Sequence, residues 1–221
     1  FSEVMKSPKN MSKYFVLISQ YYCKWHQIKT IFGTSNESIR KNKQKGFINS
    51  NQNTKLMLPI INTKLFKPTY KNIPKLFKNS NNFKIIYCGR TDPEKNIETI
   101  ITSLKYLENV LLIIIGDGSE LQQLKNLSNS LKVDKKVLFL GKINNEKLSV
   151  YYSNSDVFVT ASKVETCGFT TLEAMACKTP ALVYPSGGSL DLVQNEFNGF
   201  YCKQPTDFAN KINLLKNNNK M

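Results

Sequence analysis

Histidine and tryptophan occur once each in these 221 residues, at His26 and Trp25, and arginine only at Arg40 and Arg90. A single histidine, with five scattered cysteines (Cys23, Cys88, Cys167, Cys177, Cys202) and no CxxC pair, argues against a zinc site. An odd number of thiols without metal spacing points instead to free, mostly buried cysteines and a reducing compartment. No apolar run approaches 18 residues. The longest, Val110–Ile115, has the length of a strand, so no transmembrane span is expected. GxGxxG and GxxxxGK[ST] are both missing, which removes the dinucleotide and Walker readings. The chain opens at Phe1 with neither an initiator Met nor a signal-peptide core, as expected of an N-terminally truncated fragment.

Lysine is what the chain has in excess. Thirty-one Lys and Arg face sixteen Asp and Glu, a formal net charge of +15. Twenty-five asparagines accompany them, a Lys/Asn bias that nucleotide composition can impose without selection for binding. The placement of charge is more informative. Residues 1–84 carry sixteen bases and two acids (Glu3, Glu37); residues 85–221 carry fifteen and fourteen. Such asymmetry suggests two units, the first facing either an anionic partner or plain solvent. Within it, Lys6, Lys9, Lys13, Lys24 and Lys29 share a region with Met5, Met11, Tyr14, Phe15, Tyr21, Tyr22 and Trp25. That mixture suits peripheral contact with an anionic bilayer through residues 1–84 as well as it suits an ordinary lysine-rich surface over an aromatic core. A specific nucleic-acid partner is disfavoured, because arginine is scarce and no recognition motif occurs.

From residue 83 onward, β-rich runs alternate with amphipathic stretches. Strands are expected at Phe83–Cys88, Val110–Ile115, Val137–Leu140, Asp156–Thr160, Ala181–Tyr184 and Gly199–Cys202. Helices are expected at Lys95–Leu107, Ser119–Leu131 (with Ser119 as cap), Asn145–Tyr152, Thr171–Cys177, Ser189–Gln194 and Thr206–Lys216. Repeated β-then-α units require crossover connections, hence a parallel sheet with helices on both faces: a Rossmann-like doubly wound α/β domain. Upstream, Met11–Gln27 reads as helix, Ile28–Phe32 as strand, Ser35–Lys45 as a helix capped by Ser35 or Asn36, and Thr54–Leu58 as strand. The expected division is a partial α/β domain at 1–61, a Pro-containing linker at 62–82, the doubly wound domain at 83–215 and a frayed tail at 216–221.

Three glycine-bearing turns follow three strands: Cys88-Gly89-Arg90, Ile115-Gly116-Asp117-Gly118 and Leu140-Gly141. Singly each is as well read as a plain turn. Together they fall at the carboxyl edge of one parallel sheet, where such sheets bind ligands. Arg90 and Lys95 follow the first of these strands, and a guanidinium fork with a lysine point charge suits a diphosphate, unless Asp92 and Glu94 simply pair with them. Glu165 and Glu173 flank a loop, Gly168-Phe169-Thr170, that opens a helix. A helix start offers free N–H groups to a phosphate or sugar oxygen, and the two carboxylates can accept from sugar hydroxyls.

The segment ETCGFTTLEAMACKTP, with GRTDPEKN and IIIGDGSEL before it and VLFLGKI and LSVYYSNSDVFVTAS between, resembles the donor-binding half of the retaining GT-B glycosyltransferases of family 4. The similarity runs over residues 83 to about 215. IFGTSNES and TKLMLPIINTKLFKP resemble the end of that family's acceptor domain and the crossing into the donor domain. The resemblance implies transfer of a hexosyl group from a nucleoside diphosphate sugar, UDP foremost, to an acceptor hydroxyl with retention, the acceptor being unidentified and a lipid among the candidates. A chain that binds the nucleotide sugar without turnover is the alternative. No metal or other cofactor is implied, and no DxD pair is present. By the same resemblance Arg90 and Lys95 hold the leaving diphosphate. Glu165 orients the hexose, and Gly168, Phe169 and Thr170 contact sugar and phosphate. Glu173 binds the ribose hydroxyls, Gly141 lies where the base is read, and Gly89, Gly116 and Gly118 line the cleft. Two departures stand out: Lys178 where Gly is usual, and Cys167 where a large residue is usual. Ser186-Gly-Gly-Ser-Leu-Asp191 also replaces the family's GG-x-x-Glu.

Overall fold

The computed structural model describes residues 28–78 and 81–218, and the chain divides into two compact units, Phe1–Pro59 and Ile60–Met221. The expected helix Met11–Gln27 and the cluster of lysines and aromatics up to Trp25 lie outside the described residues.

In the first unit, β1 (Thr30–Gly33) and β2 (Asn53–Leu56) pair in parallel, joined through α1 (Asn36–Gln44). Ser35 starts that helix with a reciprocal cap. Its hydroxyl accepts from the Ser38 amide at 3.0 Å, and the Ser38 hydroxyl accepts from the Ser35 amide at 3.2 Å. Two N–H groups that a helix start leaves without carbonyls are thereby satisfied, worth about 1 kcal/mol.

The second unit begins before its sheet does. The stretch expected as a linker contains α2 (Lys75–Lys78) and lends Phe66 and Phe77 to the buried core. There follow β3 (Phe83–Cys88), α3 (Ile97–Ser103), β4 (Val110–Ile115), α4 (Leu121–Ser130), β5 (Val137–Gly141) and α5 (Asn145–Ser153). Then come β6 (Val157–Thr160), α6 (Phe169–Ala176), β7 (Ala181–Val183), α7 (Ser189–Leu192), β8 (Gly199–Tyr201) and α8 (Pro205–Asn218). All six strands from β3 are parallel, in the order β5-β4-β3-β6-β7-β8.

The period-2 geometry of a strand sends alternate residues to opposite faces, and both faces here are covered. Ile85, Tyr87, Leu112, Ile114, Val157 and Val159 pack with Ile97, Ile100, Ile101 and Leu104 of the α3 side and with Phe208 and Ile212 of α8. Ile86, Cys88, Ile113, Ile115 and Phe158 pack with Leu148 and Tyr152 of α5 and Ala174 of α6. Each fully buried Ile or Leu contributes roughly 1.5–3 kcal/mol, so continuous apolar strands are what this sandwich demands.

Element ends shift where loops compete. Ser119 caps no helix: its amide and hydroxyl both donate to Asp92 Oδ1, at 3.0 and 3.1 Å, and α4 starts later, at Leu121. Left-handed Asn96 (φ 50°) sets a 3₁₀ turn at Pro93–Lys95 apart from α3, so the expected helix Lys95–Leu107 begins at Ile97 and closes in a second 3₁₀ turn at Leu104–Tyr106. Cys88, Cys177 and Cys202 are buried, Cys167 is half-buried, and burial pushes the Cys88 and Cys202 thiols up to about 11 and about 12.

Candidate active site

The strand order places β3 and β6 side by side while the chain leaves them toward opposite edges of the sheet. At such a reversal the carboxyl-end loops diverge and open a crevice. A cleft of about 270 Å³ lies there, lined among others by Gly89, Arg90, Gly116, Lys142, Thr170 and Glu173. An adjoining hollow of about 180 Å³ shares Cys88, Gly89, Arg90 and Thr170 with it and adds Tyr87, Lys95, Glu165 and Phe169.

Backbone closeness shapes the floor. Gly116 (φ 137°) donates to the Gly141 carbonyl at 2.8 Å, and Gly89 donates to the Ile115 carbonyl at 3.0 Å. A Cβ on Gly116 would fall onto the Gly89 carbonyl, so no other residue fits this turn. Asp92 ties the first two loops together through Ser119. The Ser119 amide, chiefly, holds its carboxyl below the ordinary value, with the Ser119 hydroxyl and the Arg90 guanidinium adding to that effect.

The cations are placed differently from one another. Arg90 is two-thirds exposed and pairs with Asp92 and, at 2.7 Å, with Glu94. Its backbone is anchored because the Tyr87 hydroxyl donates to its carbonyl at 2.5 Å, and burial raises the Tyr87 phenol far above its ordinary value. The pairing weighed from sequence is thus present, and an incoming anion would have to share the guanidinium with Glu94 and with Asp92, whose largely covered carboxylate is also held by Ser119. Lys95 is largely covered. Its Nζ lies 3.4 Å from Glu165 Oε2 and 3.5 Å from Ser162 Oγ.

Glu165 itself is held from three sides. Its Oε1 accepts from the Gly168 amide at 3.1 Å, Oε2 faces Lys95, and its carbonyl accepts from the Gly188 amide at 3.0 Å. Gly168 is left-handed (φ 72°) and precedes α6, leaving the amides of Phe169, Thr170 and Thr171 in the first turn, where no intrahelical carbonyl reaches them. Glu173 lies one turn further on. Burial raises its carboxyl above the ordinary range, while the Tyr152 hydroxyl, donating to Oε2 at 3.0 Å, pulls it back down.

Of the residues expected from sequence, Gly89, Arg90, Lys95, Gly116, Glu165, Phe169, Thr170 and Glu173 all line these two hollows. Gly118, Gly141 and Gly168 do not. Gly118 packs against Thr91 and Asp92, Gly141 ends β5 beside Lys142 and Ile143, and Gly168 turns its amide to Glu165. Sequence reasoning missed Tyr87 and Tyr152, and it weighed Asp92 only as a partner of Arg90 and not of Ser119; the Tyr152 and Ser119 contacts depend on neighbours distant in the chain. It also singled out neither Lys142 nor Ile143, although both fall in the quoted VLFLGKI segment, nor Asn145.

Comparison with known proteins places this geometry. The family described as Glycosyl transferases group 1 matches residues 69–221. An uncharacterized glycosyltransferase of Methanocaldococcus jannaschii is 38% identical over 130 residues, 57% of this chain and 33% of that protein. An alpha-monoglucosyldiacylglycerol synthase of Streptococcus pneumoniae is 30% identical over 132 residues, 58% of this chain and 30% of that protein. The crystal structure of Anabaena HepE in complex with UDP is similar with a TM-score of 0.78 at 25% identity, over 86% of this chain and 55% of that one. The chain therefore spans about a third of the length of the curated relatives it matches. A family match across the whole doubly wound sheet, with its crevice at the strand reversal, makes this chain a member of the glycosyl transferases group 1 family with a GT-B, Rossmann-like fold.

Proposed function

We propose that the second unit binds the donor of a retaining family 4 hexosyltransferase, a nucleoside diphosphate sugar, with UDP as the nucleotide. One observation carries the reading: two cations, a helix start and two carboxylates line two adjoining hollows at the strand reversal. The HepE structure, similar at 25% identity and solved with UDP, supports the choice of nucleotide.

In this reading Arg90, Lys95 and the amides of Phe169, Thr170 and Thr171 take the diphosphate. Glu173 accepts from the ribose hydroxyls, Gly141 and the residues after it face the base, and Glu165 orients the hexose. The bond between the anomeric carbon and the diphosphate oxygen breaks with its electron pair leaving on the diphosphate. The acceptor oxygen bonds to the same face of that carbon and passes its proton to the departing oxygen. The developing negative charge is met by fixed donors rather than by an acid, an electrostatic contribution that needs no resident metal. Glu165, bonded to Gly168 and paired with Lys95, takes the role of orienting the sugar rather than attacking it in this proposal.

A lipid acceptor is proposed from the relative named as an alpha-monoglucosyldiacylglycerol synthase, with the basic segment 1–84 as the membrane-facing part. Among the described residues no helix is long and apolar enough to cross a membrane.

A donor screen tests the central reading. Thermal shift and calorimetry with UDP, GDP and ADP should show UDP stabilising the chain most. A chain whose melting none of the three alters would overturn it.

A further inference from the structure

Tyr152 lies at the end of α5 and is fully buried. Its ring is fixed on two sides, edge-on to Phe158 (centroids 6.0 Å, 67°) and tilted against Phe66 (6.3 Å, 60°). Its carbonyl accepts from the Thr179 hydroxyl at 2.7 Å, so backbone and ring are both pinned. At the edge of this setting the phenol oxygen donates to Glu173 Oε2 at 3.0 Å, with the Cys88 thiol beside it. Glu173 lines the cleft.

A carboxylate on a flexible stem costs rotamer entropy to hold in a ligand-ready pose. A donor fixed by the core lowers that cost in advance by occupying one oxygen and leaving the other for a hydroxyl pair. We infer that Tyr152 is a positioning residue for nucleotide recognition, presenting Glu173 to the ribose hydroxyls, with Phe66 as its backing. The inference rests on the donor-binding role proposed for the cleft.

The backing reaches beyond the sheet. Phe66 belongs to the strap that precedes β3, and α5 grips this strap at several points. The Ser149 hydroxyl donates to the Leu65 carbonyl, the Thr69 amide donates to Ser153 Oγ at 2.9 Å, and Asn154 Nδ2 donates to the Thr69 carbonyl at 3.1 Å. The strap thus reaches the ribose contact through two rings and one hydroxyl. Burial raises the Tyr152 phenol well above its ordinary value, so it stays a donor at any working pH.

The test pairs a protein hydroxyl with ligand hydroxyls. Calorimetry on the full chain compares UDP with 2′,3′-dideoxy-UDP for wild type, Y152F, E173Q and F66A. Wild type should prefer UDP by about tenfold or more, the ratio a charged hydrogen bond supports. Y152F, which keeps the ring, should bring that ratio to within about threefold of unity while dideoxy-UDP affinity stays at the wild-type value. F66A should move the ratio the same way, less far. Y152F with an unchanged UDP preference overturns the assignment, as does a Y152F that loses both ligands in equal proportion. In either case UDP binding by wild type leaves the donor reading standing. A wild-type chain that binds neither ligand overturns that reading and the role of Tyr152 with it.

Discussion

Lys95 and Arg90 show how the same charge can be placed for different work. Lys95 is pinned between Glu165 and Ser162 in a partly dry hollow, whereas Arg90 hangs on an anchored backbone with its side chain in water. Each charge-assisted bond to a diphosphate is worth roughly 1.5–3 kcal/mol, so Arg90→Ala with Lys95→Ala should weaken UDP about a hundredfold or more by calorimetry. Unchanged affinity would remove both from the phosphate site. Glu173 makes a pH-dependent prediction at the same scale. Burial raises its folded-state carboxyl above the ordinary 4.5, so the folded chain holds this proton to higher pH than the unfolded chain does. The stability it contributes is complete below the ordinary value and is lost as pH rises through the raised one. Melting temperatures of Glu173→Gln should therefore gain on wild type between pH 4 and pH 7, and a pH-independent difference would refute the shift.

At the scale of elements, α6 accounts for one of the two departures from the family pattern. The helix ends with Thr179 N–H on the Ala174 carbonyl and Lys178 N–H on the Met175 carbonyl, both at 3.0 Å, the paired bonds of a Schellman end. Lys178 takes the left-handed position of that motif, φ 64°, which explains why glycine is usual there. Lys178→Gly should stabilise the chain by about 0.5–1 kcal/mol, visible as a small rise in denaturation midpoint at unchanged m-value. A fall would mean that the exposed lysine contributes more at the helix end than its backbone strain costs. Nothing in the structure explains Cys167. The loop it belongs to is nonetheless tightly built. Gly187 (φ 48°) has no room for a Cβ, which would fall onto the Glu165 carbonyl, so the Ser-Gly-Gly-Ser segment backs the glutamate loop directly.

For the whole molecule, charge is the dominant asymmetry, with the first 84 residues holding nearly all of the net +15. Each lysine near an anionic bilayer contributes about 1 kcal/mol before screening, and the Debye length of about 10 Å at 0.1 M salt makes that attraction fade as salt rises. Cosedimentation should show retention on anionic vesicles, none on neutral ones, and release at high salt. Equal and negligible partitioning to both would assign the lysines to an ordinary solvated surface and point to a soluble acceptor.

The repeating β-then-α pattern determined the fold by itself, because a parallel strand buried on both faces must be written as a continuous apolar run such as Val110–Ile115. It also marked the two glutamates, the basic pair and the glycines at strand ends, since turn chemistry and helix starts are local. What lay beyond it depends on long-range contacts. The stretch 62–82 looks polar and Pro-broken, yet Phe66 and Phe77 are buried, which only the three-dimensional packing against α5 decides. Ser119 has the chemistry of a cap, but Asp92, 27 residues earlier, offers its amide and hydroxyl a better-placed acceptor. Tyr152 reads as one more apolar helix residue until α5 and α6 bring its hydroxyl to Glu173. Periodicity is a property of neighbours in the chain; the partner of a buried hydroxyl is decided by whichever element the core packs against it.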